Sequence, residues 1–217
     1  MKMKMRKQKG LITSTSLIIG FVLLTLAVRF VDVQMIGPGE SSVGFATINR
    51  YIHNLTGVNM HLYNATDWLS LVPLGIIIGF ALIGICQWVK RKHILKVDYS
   101  ILALGGFYIL VMGVYLLFEL LVINYRPVLI NGNLESSYPS STTMLVLCVM
   151  PTAMMQAKAR IKNLAIKRCI FSLITAFTVF MVVGRFISGV HWFTDILGGT
   201  ILSAGLVMMY RYIINKE

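Results

Sequence analysis

The chain has 217 residues, of which 57% are hydrophobic and 13% charged, with a formal net charge of +12. A soluble domain carries roughly twice that charged fraction, so the composition is that of a membrane protein. The positive charge sits in short segments between apolar blocks, which argues against nucleic acid as a partner and for loops facing the cytoplasm.

Six apolar blocks follow in chain order, each close to the roughly 20 helical residues that cross a hydrocarbon core. They run from Leu11 to Val31, Leu69 to Val89, Tyr99 to Ile123, Ser141 to Ala157, Cys169 to Ile187 and Thr194 to Ile214. The fourth is short and contains Pro151. A basic start precedes the first block, but no A-x-A-like cleavage site follows it, so an uncleaved first span is expected. The fold expected is an all-α, six-span transmembrane bundle forming a single membrane domain over residues 1–217. Lipid leaves backbone groups no partner outside a helix.

Lys and Arg set the orientation. The amino-terminal run (Lys2, Lys4, Arg6, Lys7, Lys9), the second-to-third link (Lys90, Arg91, Lys92, Lys96), the fourth-to-fifth link (Lys158, Arg160, Lys162, Lys167, Arg168) and the end (Arg211, Lys216) share one side of a six-span topology. Both termini are therefore expected in the cytoplasm of a multi-pass cell-membrane protein. The other basic residues are Arg29, Arg50, Arg126 and Arg185, on the opposite side. Residues 32–68 form a long external segment, and Val43 to Leu55 has the composition of a short interfacial helix. Cys86, Cys148 and Cys169 show no metal-ligand or redox spacing.

Three polar clusters fall on that external side. They are Asn124-Tyr125-Arg126-Pro127, Ser136 through Thr142, and Gly184-Arg185 with Ser188, His191 and Asp195. If the last stretch is helical, His191 and Asp195 lie on one face. A carboxylate accepting the imidazole Nδ1 proton leaves Nε2 as a nucleophile. Arg126 and Arg185 offer forks for phosphate oxygens, and Ser140 and Ser141 precede a helix start that favours an anion. Together these suit phosphoryl transfer, whose transition state spreads charge over equatorial oxygens.

The order and spacing of these clusters resemble the type-2 phosphatidic acid phosphatase family, within the lipid phosphate phosphatase and vanadium haloperoxidase-like superfamily. Its motifs are Lys-x6-Arg-Pro, Pro-Ser-Gly-His and Ser-Arg-x5-His-x3-Asp. Here they read Glu119-x6-Arg126-Pro127, Pro139-Ser140-Ser141-Thr142 and Gly184-Arg185-x5-His191-x3-Asp195, over residues 119–195. The resemblance implies a hydrolase of lipid monophosphates or polyprenyl diphosphates that works without metal or other cofactor at the extracytoplasmic face. His191 would form a phosphohistidine, Asp195 would orient it, and Arg185 would complete the catalytic set. Arg126, Ser140, Ser141 and Thr142 would bind the phosphate of a substrate drawn from the lipid bilayer.

Four positions depart from the family pattern. Glu119 stands where the family has a phosphate-binding Lys, and Thr142 where it has the His that protonates the leaving group. Ser141 replaces a Gly, and Gly184 replaces a Ser. Glu119 and Tyr138 are the candidate modulators of the site, Glu119 by pairing with an Arg or being protonated by burial, Tyr138 as an interface anchor before a proton donor. Glu135, His53 and His61 are external and expected to be solvated, with proton supply as the alternative. A catalytically degenerate homologue that binds lipid phosphates without turnover is the alternative expectation.

Overall fold

The structure, a computed structural model, describes residues 2–215, with side chains from residue 8 onward. Lys216 and the side chains of Lys2, Lys4, Arg6 and Lys7, part of the charge argument above, lie outside the described residues.

Helix α1 (Lys2–Phe30) is followed by a small hairpin of β1 (Gln34–Met35) and β2 (Ser42–Val43), paired antiparallel. Two short helices come next, α2 (Ala46–Thr56) and α3 (Met60–Leu69). The bundle continues with α4 (Leu71–Arg91), α5 (Tyr99–Leu120), α6 (Ser141–Arg160), α7 (Leu164–Ile187) and α8 (Phe193–Ile214). Among the described residues, five segments are long and apolar enough to cross a membrane: Gln8–Phe30, Met60–Arg91, Tyr99–Leu120, Leu164–Ile187 and Phe193–Ile214. Large aliphatic side chains such as Ile78, Leu82 and Ile109 stand exposed on their outer faces, as a lipid solvent allows. The chain is a multi-pass membrane protein.

Helix α6, the fourth block of the sequence, is not in that apolar set. It packs against α4, α5, α7 and α8, so its polar residues meet protein rather than lipid. Thr152 Oγ1 lies 3.1 Å from the Tyr108 hydroxyl, and Gln156 Nε2 donates to the Tyr210 hydroxyl at 2.5 Å and to Ser100 O at 3.0 Å. Each polar group finds a partner, which removes the penalty of burying it. Close packing elsewhere uses small residues. A Cβ at Gly205 of α8 would sit 3.0 Å from Ile18 of α1, and Ser14 Oγ donates to Gly205 O at 2.8 Å.

Residues 32–68 fold back over one end of the bundle. Gly44 passes so close to Val28 O of α1 that a Cβ there would be 1.6 Å away. Asn49 Nδ2 donates to Thr194 Oγ1 at 2.9 Å, and Asn59 N donates to Ser188 O at 2.9 Å. Residues 60–69, for which the sequence predicts no helix of their own, form α3, capped by Asn59 Oδ1 accepting from Leu62 N at 2.9 Å. Helix α3 lies against α7, and Gly184 makes room for it: a Cβ there would be 3.0 Å from Thr66 Cγ2. The departure at 184 from the family's Ser thus has a packing reason.

Candidate active site

At the covered end of the bundle, α7 stops at Ile187 and α8 starts at Phe193. His191 lies in the link between them, so the expected helical face shared with Asp195 does not form. The turn brings them together instead. Asp195, in the first turn of α8, accepts from Trp192 N at 2.8 Å through Oδ2. His191 Nδ1 remains 3.6 Å from that oxygen, longer than a normal hydrogen bond.

Ser137 fills the gap. Its hydroxyl is 3.1 Å from His191 Nδ1 and makes a short hydrogen bond to Asp195 Oδ2. The acid accepts the hydroxyl proton, which leaves the serine oxygen to accept from Nδ1–H and exposes the Nε2 lone pair. A ladder in the α5–α6 link positions this serine. Tyr125 bridges Ser136, Arg126 N donates to Glu135 O at 3.1 Å, and Ser137 N donates to Asn124 O at 2.9 Å. That ladder takes over where α5 ends, at Leu120 rather than at Ile123.

Arg126 Nη1 stands 3.4 Å from His191 Nε2. Burial and the charges of Arg126 and Arg185 hold the imidazole pKa well below its usual value, so the ring is neutral at physiological pH. Arg126 Nε is also 3.2 Å from Glu135 Oε2, an ion pair by distance without hydrogen-bond alignment. Glu135 is thus engaged with the site arginine rather than simply solvated.

Arg126, His191, Ser137 and Ser141 line one cavity of about 330 Å³, together with Glu119 and Glu135. Glu119 accepts from the Ser136 hydroxyl at 2.9 Å. Tyr138 also lines this cavity, while the other expected site residues fall around it. Arg185 turns toward α3, where Nη1 donates to Thr66 Oγ1 at 3.3 Å and Nη2 meets Asp67 Oδ1 at 3.3 Å. Its guanidinium lies 4.5 Å from the Tyr63 ring centre, and that of Arg126 lies 5.8 Å from the same ring. Ser140 caps α6, its hydroxyl accepting from Thr143 Oγ1 at 3.0 Å, while its own N donates to Asp195 O at 3.0 Å. Thr142 lines a neighbouring cavity of about 330 Å³ that reaches Asp67 and Leu74. Tyr138 is buried, its hydroxyl 2.9 Å from Thr25 Oγ1 and its ring stacked on Phe21. His53 stacks near Trp192, with ring centres 5.4 Å apart, and neither it nor His61 lines the cavity.

Tyr63 had no sequence signal, and Ser137 was legible only as a member of the Ser136–Thr142 cluster, with no role of its own. Ser137 is one hydroxyl in a serine-rich link, and Tyr63 is one aromatic of residues 32–68. Among the described residues no group of three or more His, Cys, Asp or Glu could hold a metal ion.

A sequence profile described as the PAP2 superfamily matches residues 102–217. Nothing matches among curated proteins. Among solved structures, the crystal structure of the first transmembrane PAP2 type phosphatidylglycerolphosphate phosphatase from Bacillus subtilis is similar, with a TM-score of 0.59 and 19% identity over 94% of this chain and 96% of that one. That likeness is one of fold, while the profile spans more than half of the sequence and includes Arg126, Ser137, His191 and Asp195. The chain belongs to the PAP2 superfamily.

Proposed function

We propose that this protein is a membrane phosphatase that hydrolyses a lipid phosphate or polyprenyl diphosphate at the external leaflet through a phosphohistidine on His191. The observation that carries the reading is the geometry of His191, whose Nδ1 meets the Ser137 hydroxyl, itself bonded to Asp195, with Nε2 beside Arg126 in a cavity.

Nε2 attacks phosphorus as the bond to the leaving oxygen breaks. The imidazolium that forms is stabilised by the Ser137–Asp195 pair. Arg126, the Ser141 hydroxyl and the free N–H groups in the first turn of α6 bind the equatorial oxygens. Ser140 and Thr142 serve that helix start, and Arg185 adds positive charge from behind Tyr63. Glu119 or Glu135 protonates the leaving oxygen, in place of the family's His. Water then cleaves the N–P bond, releasing phosphate and restoring the imidazole.

The same reading places six spans across the bilayer, α6 included, with both termini cytoplasmic and residues 119–195 carrying the chemistry. Helix α6 has 20 residues, enough for about 30 Å. Its Lys158 and Arg160 lie at the end remote from His191.

A second reading is a binding protein without turnover. It is favoured by Glu135 standing on Arg126, where a carboxylate competes with phosphate. Phosphate release by purified protein from a panel of lipid monophosphates and prenyl diphosphates separates the two. Turnover lost in His191→Ala supports the phosphatase; lipid phosphate binding without any release supports the second reading.

A further inference from the structure

A larger cavity of about 560 Å³ opens between α4 and α5. It lies toward the end of the bundle remote from His191. Its walls are apolar, from Phe80 and Trp88 on α4 to Ile101 and Leu104 on α5. Gly105 and Gly106 line it, and a Cβ at either position would meet nothing within 4 Å. The helices meet at Gly84, where a Cβ would be 3.2 Å from Ile101 Cγ2, and leave open space beside Gly105 and Gly106. Along α5 the lining runs from Ile101 to Met112, about 16 Å at the helical rise. That is roughly half a hydrocarbon core, the depth of one leaflet.

The mouth is basic. Lys90 closes α4, Lys92 follows as its cap, and Lys96 ends the next short turn. All three are exposed, and none of them is in an ion pair among the described residues. The nearby acid, Asp98, is already held by Arg91 at 2.9 Å and by Arg160 at 3.7 Å. Burial of Asp98 is slight, and the Arg91 and Gln87 hydrogen bonds keep its pKa below the usual carboxylate value, so it stays committed to those partners. Three lysines remain beside the opening with no counter-charge.

We infer that this groove binds an anionic phospholipid of the leaflet opposite the candidate active site. One acyl chain lies between α4 and α5, and the phosphate sits among Lys90, Lys92 and Lys96. An apolar slot one leaflet deep fits a single chain, and unpaired lysines at its mouth select a negative headgroup over a zwitterionic one. The groove approaches the cavity holding Thr142 only through Ile77, Tyr108 and Met112, which line both. The tail of a substrate entering from the His191 end would have no use for the lysines. The inference is independent of the phosphatase reading.

Purified full-length protein in phosphatidylcholine nanodiscs, titrated with phosphatidylglycerol and followed by native mass spectrometry, tests it. The wild type is expected to retain phosphatidylglycerol in preference to phosphatidylcholine. Replacing the three lysines by Gln should weaken retention about a hundredfold, from roughly fivefold for each charge. Gly106→Phe places a ring in the slot from a position where a Cβ meets nothing within 4 Å, and should abolish retention while thermal unfolding in phosphatidylcholine stays that of the wild type. Equal retention of the two lipids by the wild type overturns the inference. So does undiminished phosphatidylglycerol binding in Gly106→Phe, including the case where that variant only weakens binding of a long-tailed substrate.

Discussion

The Ser137 hydroxyl, 3.1 Å from His191 Nδ1, makes the contact that Asp195 at 3.6 Å does not make directly. Asp195 acts on the imidazole through this serine. Ser137→Ala should therefore lower kcat by about ten- to a hundredfold, the worth of one hydrogen bond to a charged group. KM should stay near the wild-type value, because Ser137 orients the nucleophile and does not grip substrate. Ser137→Thr, which keeps the hydroxyl, should recover much of the rate. Wild-type kcat in Ser137→Ala would remove the serine from the relay.

Acid should not silence His191 in the usual range. Its pKa is held well below 6.5 by burial and by Arg126 and Arg185. The reactive form is the neutral ring, which is lost only as pH falls through that depressed value. Between pH 7.5 and 6, protonation of His191 should thus not limit phosphohistidine formation in wild-type protein. Arg126→Gln removes one cation and should move the acid limb upward. A wild-type limb near pH 6.5 would show that the imidazole titrates as if exposed.

Arg185 is held by α3 through Tyr63, Thr66 and Asp67. Arg185→Met should lower stability as well as rate, since it leaves α3 without its anchor on α7. Breaking a buried pair costs about 3–5 kcal/mol, and the half-exposed Asp67 carboxylate places this one at or below the lower end. Thermal unfolding in detergent measures it. Lost activity with an unchanged Tm would return Arg185 to the phosphate site itself.

The Tyr138 hydroxyl faces Thr25 on α1, and burial pushes its pKa up, which ill suits a proton donor. Its ring packs against Gly198, where a Cβ would be 2.7 Å away. Tyr138→Phe should keep wild-type kcat and lose about 1 kcal/mol of stability. A hundredfold drop in kcat would make Tyr138 the acid.

Much of this arrangement was legible in the sequence, for identifiable reasons. Apolar blocks mark the lipid-facing helices, because lipid demands apolar side chains at nearly every outward position. Helix α6 was legible only as a short block, since Thr142, Thr143, Thr152 and Gln156 are shielded by neighbouring helices and need not be apolar. Residues 60–68 were legible only as part of a polar segment, since His61, Asn64 and Asp67 interrupt the apolar pattern; the Asn59 cap and packing against α7 make them helix. Spacing identified Arg126, His191 and Asp195, which converge. It could not give side-chain direction, so Arg185, Ser140 and Thr142 were grouped with the cavity that only Ser141 of that link's helix start reaches. Ser137 and Glu135 enter the site through a ladder across the α5–α6 link, a tertiary feature without a spacing signature.

The central claim is that His191 becomes covalently phosphorylated. Purified protein can be mixed with a lipid substrate carrying radiolabelled terminal phosphate, quenched in alkali within milliseconds, and followed for label on the chain. The account predicts base-stable, acid-labile label in the wild type, reduced label in Ser137→Ala, and none in His191→Ala. Steady phosphate release with no label on the protein, or equal label in His191→Ala, would contradict it.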